Sequence, residues 1–318
     1  MQSDAERSAL GGFPATGPGP GGAAPAEGAA RPRAVPLPFP RTAHPHDALL
    51  ALDIETVVDD ALLPTNWAPD RFPKGAWHRV VAISFVEAGI ERHADGRETY
   101  RLRSCRSGGE PGWGEERLLR AFWRYFDRGR YRVVTWNGRS FDMPTLLLRS
   151  MAHGIPTVRW HRAGTKWENY NHRHAEDWHT DLMEAMAYGN FGGRLTLDEA
   201  AALLSLPGKL GEHGSAVAAM VTAGDIGRVR AYCETDTLNL FGAYVRWAAS
   251  TGRTDAAGHD EVVGETIAYL EAQRTARPHL GLFLDAWLAA AGDRTPFIDP
   301  SRPGADTGGG PAQGPGSA

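Results

Sequence analysis

Two cysteines, Cys105 and Cys233, are too few in 318 residues for a disulfide framework. They set the expectation of a reducing, cytoplasmic setting. No apolar run approaches the roughly 18–20 residues that cross a bilayer, so no membrane partner is expected. The first residues lack a basic stretch followed by an apolar one, so a secretory signal is not expected either. Lysine is scarce: Lys74, Lys166 and Lys209 stand among 34 basic residues. That bias fits the codon usage of a G+C-rich genome, or phosphate recognition by bidentate arginine forks. An excess of basic charge is also missing, with 34 Lys and Arg against 38 Asp and Glu. A net charge of −4 excludes a uniformly cationic coat protein. A nucleic-acid groove needs only a local patch, and stays open.

The ends of the chain offer little to a core. Of the first 45 residues, 26 are Gly, Pro or Ala. Residues 296–318 are similarly biased, and both stretches are expected to be disordered. Between them, Ala48–Ile54, Arg79–Val86, Glu98–Ser104 and Tyr131–Trp136 read as strands. The pairs Ala88-Gly89 and Asp95-Gly96 read as turns. Helical spacing marks Glu115–Phe126, and a helix over Pro144–Ala152 is closed by Gly154 and Pro156. Val158–His174 has no clean period and reads as a loop or irregular strand. Thr196-Leu197-Asp198-Glu199 is a capping box opening a helix to Leu204. Asp225 can cap a long helix, Ile226–Ala249, and residues 262–275 and 280–291 read as two more. The order predicts an α/β fold, a mixed sheet with helices packed on it.

Three short patterns carry chemistry. Asp53-Ile54-Glu55 ends the first strand, where alternate residues share a face. Two adjacent carboxylates repel each other unless a cation sits between them, and a hard divalent ion suits oxygen ligands. Trp136-Asn137-Gly138-Arg139-Ser140-Phe141-Asp142 links a strand to a helix, with Gly138 in the turn and Asp142 near the helix start. Tyr232 and Asp236 lie four apart on one helix and share a face. Singly, each also fits a solvated strand end, a turn with an N-cap, or a surface pair.

Taken in order, D-x-E, N-x3-F-D and Y-x3-D resemble the three exonuclease motifs of the DEDD (DnaQ-like) 3′–5′ exonuclease superfamily. The resemblance runs from about Leu50 to Arg246. His179-Thr180-Asp181-Leu182-Met183, Leu195–Gly208 and Tyr232–Asn239 narrow it. They are similar to stand-alone bacterial exonucleases related to the proofreading domain of family-B DNA polymerases. The histidine variant of the superfamily needs His five residues before the last Asp, where this chain has Ala231. Tyr232 fits the tyrosine (DEDDy) variant. The resemblance implies a ribonuclease H-like domain over 46–250, while the helical stretch over 251–295 has no counterpart in it and reads as a C-terminal addition. It implies two Mg²⁺ (or Mn²⁺) ions. Asp53, Glu55 and Asp236 would hold one, and Asp53 with Asp142 the other. Tyr232 would orient the attacking water. Thr56, Asn137 and Phe141 match positions that bind the terminal nucleotide or single strand. The implied substrate is the 3′ end of single-stranded nucleic acid, DNA before RNA.

Alternatives remain at this stage. An exoribonuclease would use the same fold and differ in its treatment of the 2′-OH. A binding module would hold nucleic-acid ends without cleaving them. Phe141 also suits core packing, and Asn137 a turn. Asp181 reads first as an N-cap, with a supporting role near the metals as the second reading. Lys209 suits a phosphate contact or a solvated loop. Phe241, Tyr244 and Trp247 read as core. The histidines between His153 and His179 read as a polar loop, since a zinc site needs about four well-spaced ligands. Gly192-Gly193 reads as a loop rather than a phosphate cradle.

Overall fold

Strand β1 (Ala48–Val58) is apolar at nearly every position up to Asp53 because helices cover both faces of its sheet. In the computed structural model, alternate residues of β1 enter different cores. Leu49 and Ala51 pack with helices α7 (Ile226–Ser250), α8 (Ala256–Gln273) and α9 (Pro278–Ala291). Ala48, Leu50, Leu52 and Ile54 pack with α1 (Glu115–Arg128) and α2 (Asp142–Ala152) on the opposite face. The structure describes residues 46–68, 71–189, 193–211, 214–292 and 296–299. Residues 1–45, Gly192 and residues 300–318 lie outside the described residues.

The other strands are β2 (His78–Arg92), β3 (Glu98–Ser107), β4 (Tyr131–Thr135) and β5 (His179–Asp181). The sheet order is β3-β2-β1-β4-β5. The pairs β1–β2 and β2–β3 are antiparallel, while β1–β4 and β4–β5 are parallel. This mixed sheet flanked by helices has the ribonuclease H-like order. The β1–β2 ladder shifts register between Glu55 and Thr56. A bulge of this kind bends a strand and re-aims its side chains beside the acids.

The remaining α-helices among the described residues are short: α3 (Val158–Arg162), α4 (Leu182–Met186), α5 (Leu197–Leu203) and α6 (Val217–Thr222). The expected capping box opens α5, and Asp225 caps α7 by accepting from the Arg228 N–H. Phe241, Tyr244 and Trp247 are buried as core residues. Asp260 accepts from the backbone N–H groups of Ile298 and Asp299, so this stretch of the C-terminal segment is tied to α8.

Some expectations are corrected. Gly89 is not in a turn but inside β2, paired with Ala48 and Arg101 on its two sides. A Cβ there would meet only the mobile end of the Arg103 side chain, at 2.9 Å, so the position does not demand glycine. The segment Val158–His174 contains α3. Two of its aromatics are there for packing: Trp160 and Tyr170 are buried and stacked 4.9 Å apart. Helix α8 begins at Ala256 rather than 262, because Asp255 caps it through the Gly258 N–H. Strand β5 has only three residues, too short for alternation to show.

Candidate active site

The parity of β1 decides where the first acids point. Leu49 and Ala51 face α7, so Asp53 and Glu55 continue onto that side. There α7 presents Tyr232 and Asp236 one turn apart. Asp142 arrives from β4, the parallel neighbour of β1. After β4 the chain turns at Asn137, which has φ 59°, a left-handed conformation that asparagine tolerates. At Gly138 a Cβ would meet Thr135 at 2.3 Å, so only glycine fits. Asp142 is the first residue of α2, with Pro144 in the first turn.

At the end of β1, Asp142 and Asp236 come close enough to Asp53 and Glu55 for their charges to act on them. Ligand atoms of Asp53, Glu55 and Cys233 lie within 4.8 Å of one another. Burial raises the pKa of Asp53 well above the carboxylate range, and the charges of Glu55, Asp142 and Asp236 add to it. Glu55 is raised in the same direction by burial, then by Asp236 and Asp142. Burial pushes Asp142 up to about 7, although its own N–H and that of Ile54 oppose the shift. Asp236 is pushed by burial to about 6, against the Tyr232 hydroxyl and the Lys209 charge. Oδ1 of Asp236 is buried without a hydrogen-bond donor. Buried carboxylate oxygens that repel one another, one of them orphaned, form the donor set of a hard divalent cation. The residues present therefore fit such an ion.

Burial and the neighbouring carboxylates, Asp236 first among them, raise the Tyr232 pKa, so the phenol keeps its proton and donates to Asp236. Lys209 faces Glu55 and Asp236, and its backbone N–H is held by Asp198. The Thr56 hydroxyl lies 2.9 Å from Nδ1 of His78. Phe141 packs partly against the α1–α2 core and partly against His78, at 5.1 Å between ring centroids.

Asp181 does two things at once. It caps α4 by accepting from Glu184, and it accepts from the N–H groups of Asn137 at 3.0 Å and Arg139 at 2.9 Å. The loop that delivers Asp142 is thus tied to β5. Helix α7 is tied from its other side. Glu234 accepts from the Ser107 N–H at 2.6 Å, from Arg277, and from His279 at 2.7 Å. Of the clustered histidines, His153 meets Glu115, and His179 is buried against the Thr135 hydroxyl.

Sequence reasoning missed Cys233 and His78. The Cys233 thiol donates to Asp53 Oδ2 across 3.3 Å, and its only signal was adjacency to Tyr232. His78 stands 22 residues from Thr56, and nothing local announces the pair.

Comparison with known proteins bears on the family of the chain. Residues 70–287 match a family described as predicted 3′–5′ exonuclease related to the exonuclease domain of PolB. The matched span includes Asp142, Tyr232 and Asp236, as well as α8 and most of α9, and begins after Asp53 and Glu55. Among solved structures, the family B DNA polymerase from the hyperthermophilic archaeon Pyrobaculum calidifontis is similar over 79% of this chain. Sequence identity is 20% and the TM-score 0.41, and the chain spans 28% of that polymerase. No curated protein matches the chain.

Proposed function

Since the chain belongs to the predicted 3′–5′ exonucleases related to the exonuclease domain of PolB, we propose that it hydrolyses single-stranded DNA from the 3′ end. Nucleoside monophosphates are released one at a time by metal-dependent phosphodiester cleavage of the DEDDy type. One observation carries this reading: Asp53, Glu55, Asp142 and Asp236 converge from three elements into one mutually repelling cluster. Asp53, Glu55 and Asp236 would hold one divalent ion, and Asp53 with Asp142 a second. Two Mg²⁺ or Mn²⁺ ions bound there supply Lewis acidity and neutralise charge on the phosphate.

The remaining steps belong to the chain's own groups. Tyr232 is a donor with a raised pKa, so it orients the attacking water and does not take its proton. Lys209 places positive charge beside Glu55 and Asp236, where a phosphate oxygen would sit. Phe141 offers a ring edge to the terminal nucleotide, and Thr56 a hydroxyl already oriented by His78. Asn137 acts through the turn that it forms.

A time course on a 5′-labelled single-stranded DNA oligonucleotide with Mg²⁺, beside its RNA twin, tests this. The expected result is a ladder shortening from the 3′ end of the DNA, abolished by EDTA and by Asp53→Ala. Shortening of the RNA alone would move the same site to RNA processing. No shortening of either strand would contradict the nuclease reading.

A further inference from the structure

The loop between β1 and β2 carries aromatic rings and cations. Phe72 is 72% exposed. Its ring stacks on His78 at 5.1 Å and 28°, and lies 5.6 Å from Phe141. The inner two rings border the carboxylates in sequence: His78 is bonded to Thr56, which follows Glu55, and Phe141 precedes Asp142. Nε2 of His78 donates to the Pro73 carbonyl, an acceptor only, so Nδ1 accepts from Thr56 and the imidazole plane is fixed.

The cations are held on the same loop. Arg71 lies 4.7 Å over the Trp67 ring and Lys74 lies 5.3 Å over Trp77. Trp67 and Trp77 pack edge to face at 4.7 Å. Among the described residues, neither Arg71 nor Lys74 forms an ion pair, and both are exposed. The loop is anchored to α2, the helix that begins with Asp142. Gly75 sits against Thr145, where a Cβ would approach the hydroxyl to 2.5 Å, and Arg149 donates to the Ala76 carbonyl.

Scattered exposed aromatics are ordinary on protein surfaces. Here an exposed ring extends a fixed stack that ends at the two carboxylate-bearing elements, and unpaired cations flank it. Ring faces that accept any base, interleaved with cations for the backbone, are the chemistry of single-strand binding. We propose that Phe72 stacks on a base at the 3′ end of a single-stranded nucleic acid, with Arg71 and Lys74 meeting the adjoining phosphates. The inference rests on the nuclease reading for its occupant, and it adds a residue that holds the strand rather than one that cuts it.

Binding of a 5′-fluorescein oligothymidylate to the full chain, read by anisotropy with Ca²⁺ in place of Mg²⁺, tests it. A second probe has abasic units at its last two 3′ positions. Phe72→Ala should weaken binding to the first probe by about 5- to 150-fold, the equivalent of ~1–3 kcal/mol for one stacked base. Phe72→Trp should restore it. On the abasic probe, wild type and Phe72→Ala should bind alike, and the two melting temperatures should agree because the ring is exposed. Arg71→Gln with Lys74→Gln should reduce the slope of log affinity against log salt by roughly 0.7 for each phosphate that is no longer neutralised. Equal binding of the first probe by wild type and Phe72→Ala would overturn the proposal, as would an equal weakening on the abasic probe. The two readings separate cleanly. Phe72-dependent binding without hydrolysis in Mg²⁺ would sink the nuclease reading and keep the stack. Hydrolysis indifferent to Phe72→Ala would do the reverse.

Discussion

At the scale of single residues, the raised carboxylate pKa values fix how the metal-free protein responds to pH. A carboxyl group whose pKa rises on folding holds more protons folded than unfolded. Its stabilising contribution is present below the ordinary range near ~4 and is lost as pH climbs through the folded value. For Asp236 and Asp142 those values are about 6 and about 7. Other groups work in the opposite sense. Burial lowers the pKa values of His78, His179 and His259, so their contribution is lost as pH falls below ~6.5. Burial alone would raise Glu98, but Arg132 holds it down at about 2, so its contribution is lost as pH falls from the ordinary range near ~4.5 through that value. A comparison of Asp236→Asn with wild type, both without metal, cancels these shared terms. The variant should gain on the order of 2–3 kcal/mol at pH 8 and almost nothing at pH 3.5, below the ordinary Asp range, while losing turnover. Urea melts at the two pH values measure this, and a variant less stable than wild type at pH 8 would refute the repulsion. Tyr232→Phe should lower kcat by roughly 10- to 100-fold, with affinity for Mn²⁺ nearly unchanged. A wild-type kcat would remove its role in orienting water.

At the scale of elements, the site depends on how loops and helices are tied together. Asp181 accepts from two N–H groups of the loop before α2 and one of α4, so both of its carboxylate oxygens are engaged by backbone donors. In Asp181→Asn an amide N–H₂ would face a backbone N–H, and the loop carrying Asp142 would shift. We expect Mn²⁺ affinity to fall by about 10- to 100-fold while the protein stays folded. Unchanged affinity by calorimetry would show that the tie does not position Asp142. What the sequence made legible follows from the same distinction between local and distant causes. Asp53 with Glu55, and Tyr232 with Asp236, were readable because alternation on a strand and one turn of a helix are local geometry. The capping box at Thr196 and the Asp225 cap were local as well. Strand β5 was not legible, because three residues form a strand only where β4 offers an edge. Gly89 was misread because the strands that pair with it, through Ala48 and Arg101, leave no mark on the local Ala88-Gly89 pair. Cys233 and His78 escaped because their partners, Asp53 and Thr56, are distant in sequence.

At the scale of the whole molecule, the sheet holds β1 between two helical layers, and the acids stand where β1, α2 and α7 meet. The C-terminal helices belong to the same core cluster as α7 and help to hold it. Arg277 and His279 converge on Glu234, which lies between Tyr232 and Asp236 in sequence. Burial opposes ionisation of Glu234, but His279, Arg277 and the Ser107 side chain keep its pKa low. Arg277→Ala would leave that carboxylate with a weaker set of donors. A destabilisation of about 1–3 kcal/mol is expected by chemical denaturation, less than for a fully buried pair because Arg277 is partly exposed. Stability equal to wild type would show that the C-terminal helices do not support α7 through this ion pair.

The central claim is that Asp53, Glu55, Asp142 and Asp236 form one divalent-metal centre. The most direct measurement is Mn²⁺ binding to the purified chain, followed by the loss of the free-ion paramagnetic resonance signal at pH 7.5. The account predicts saturable binding that weakens at pH 5, where Asp142 and Asp236 take up protons, and that is lost in Asp53→Asn. An absence of saturable binding at millimolar Mn²⁺, or binding that Asp53→Asn leaves intact, would contradict it.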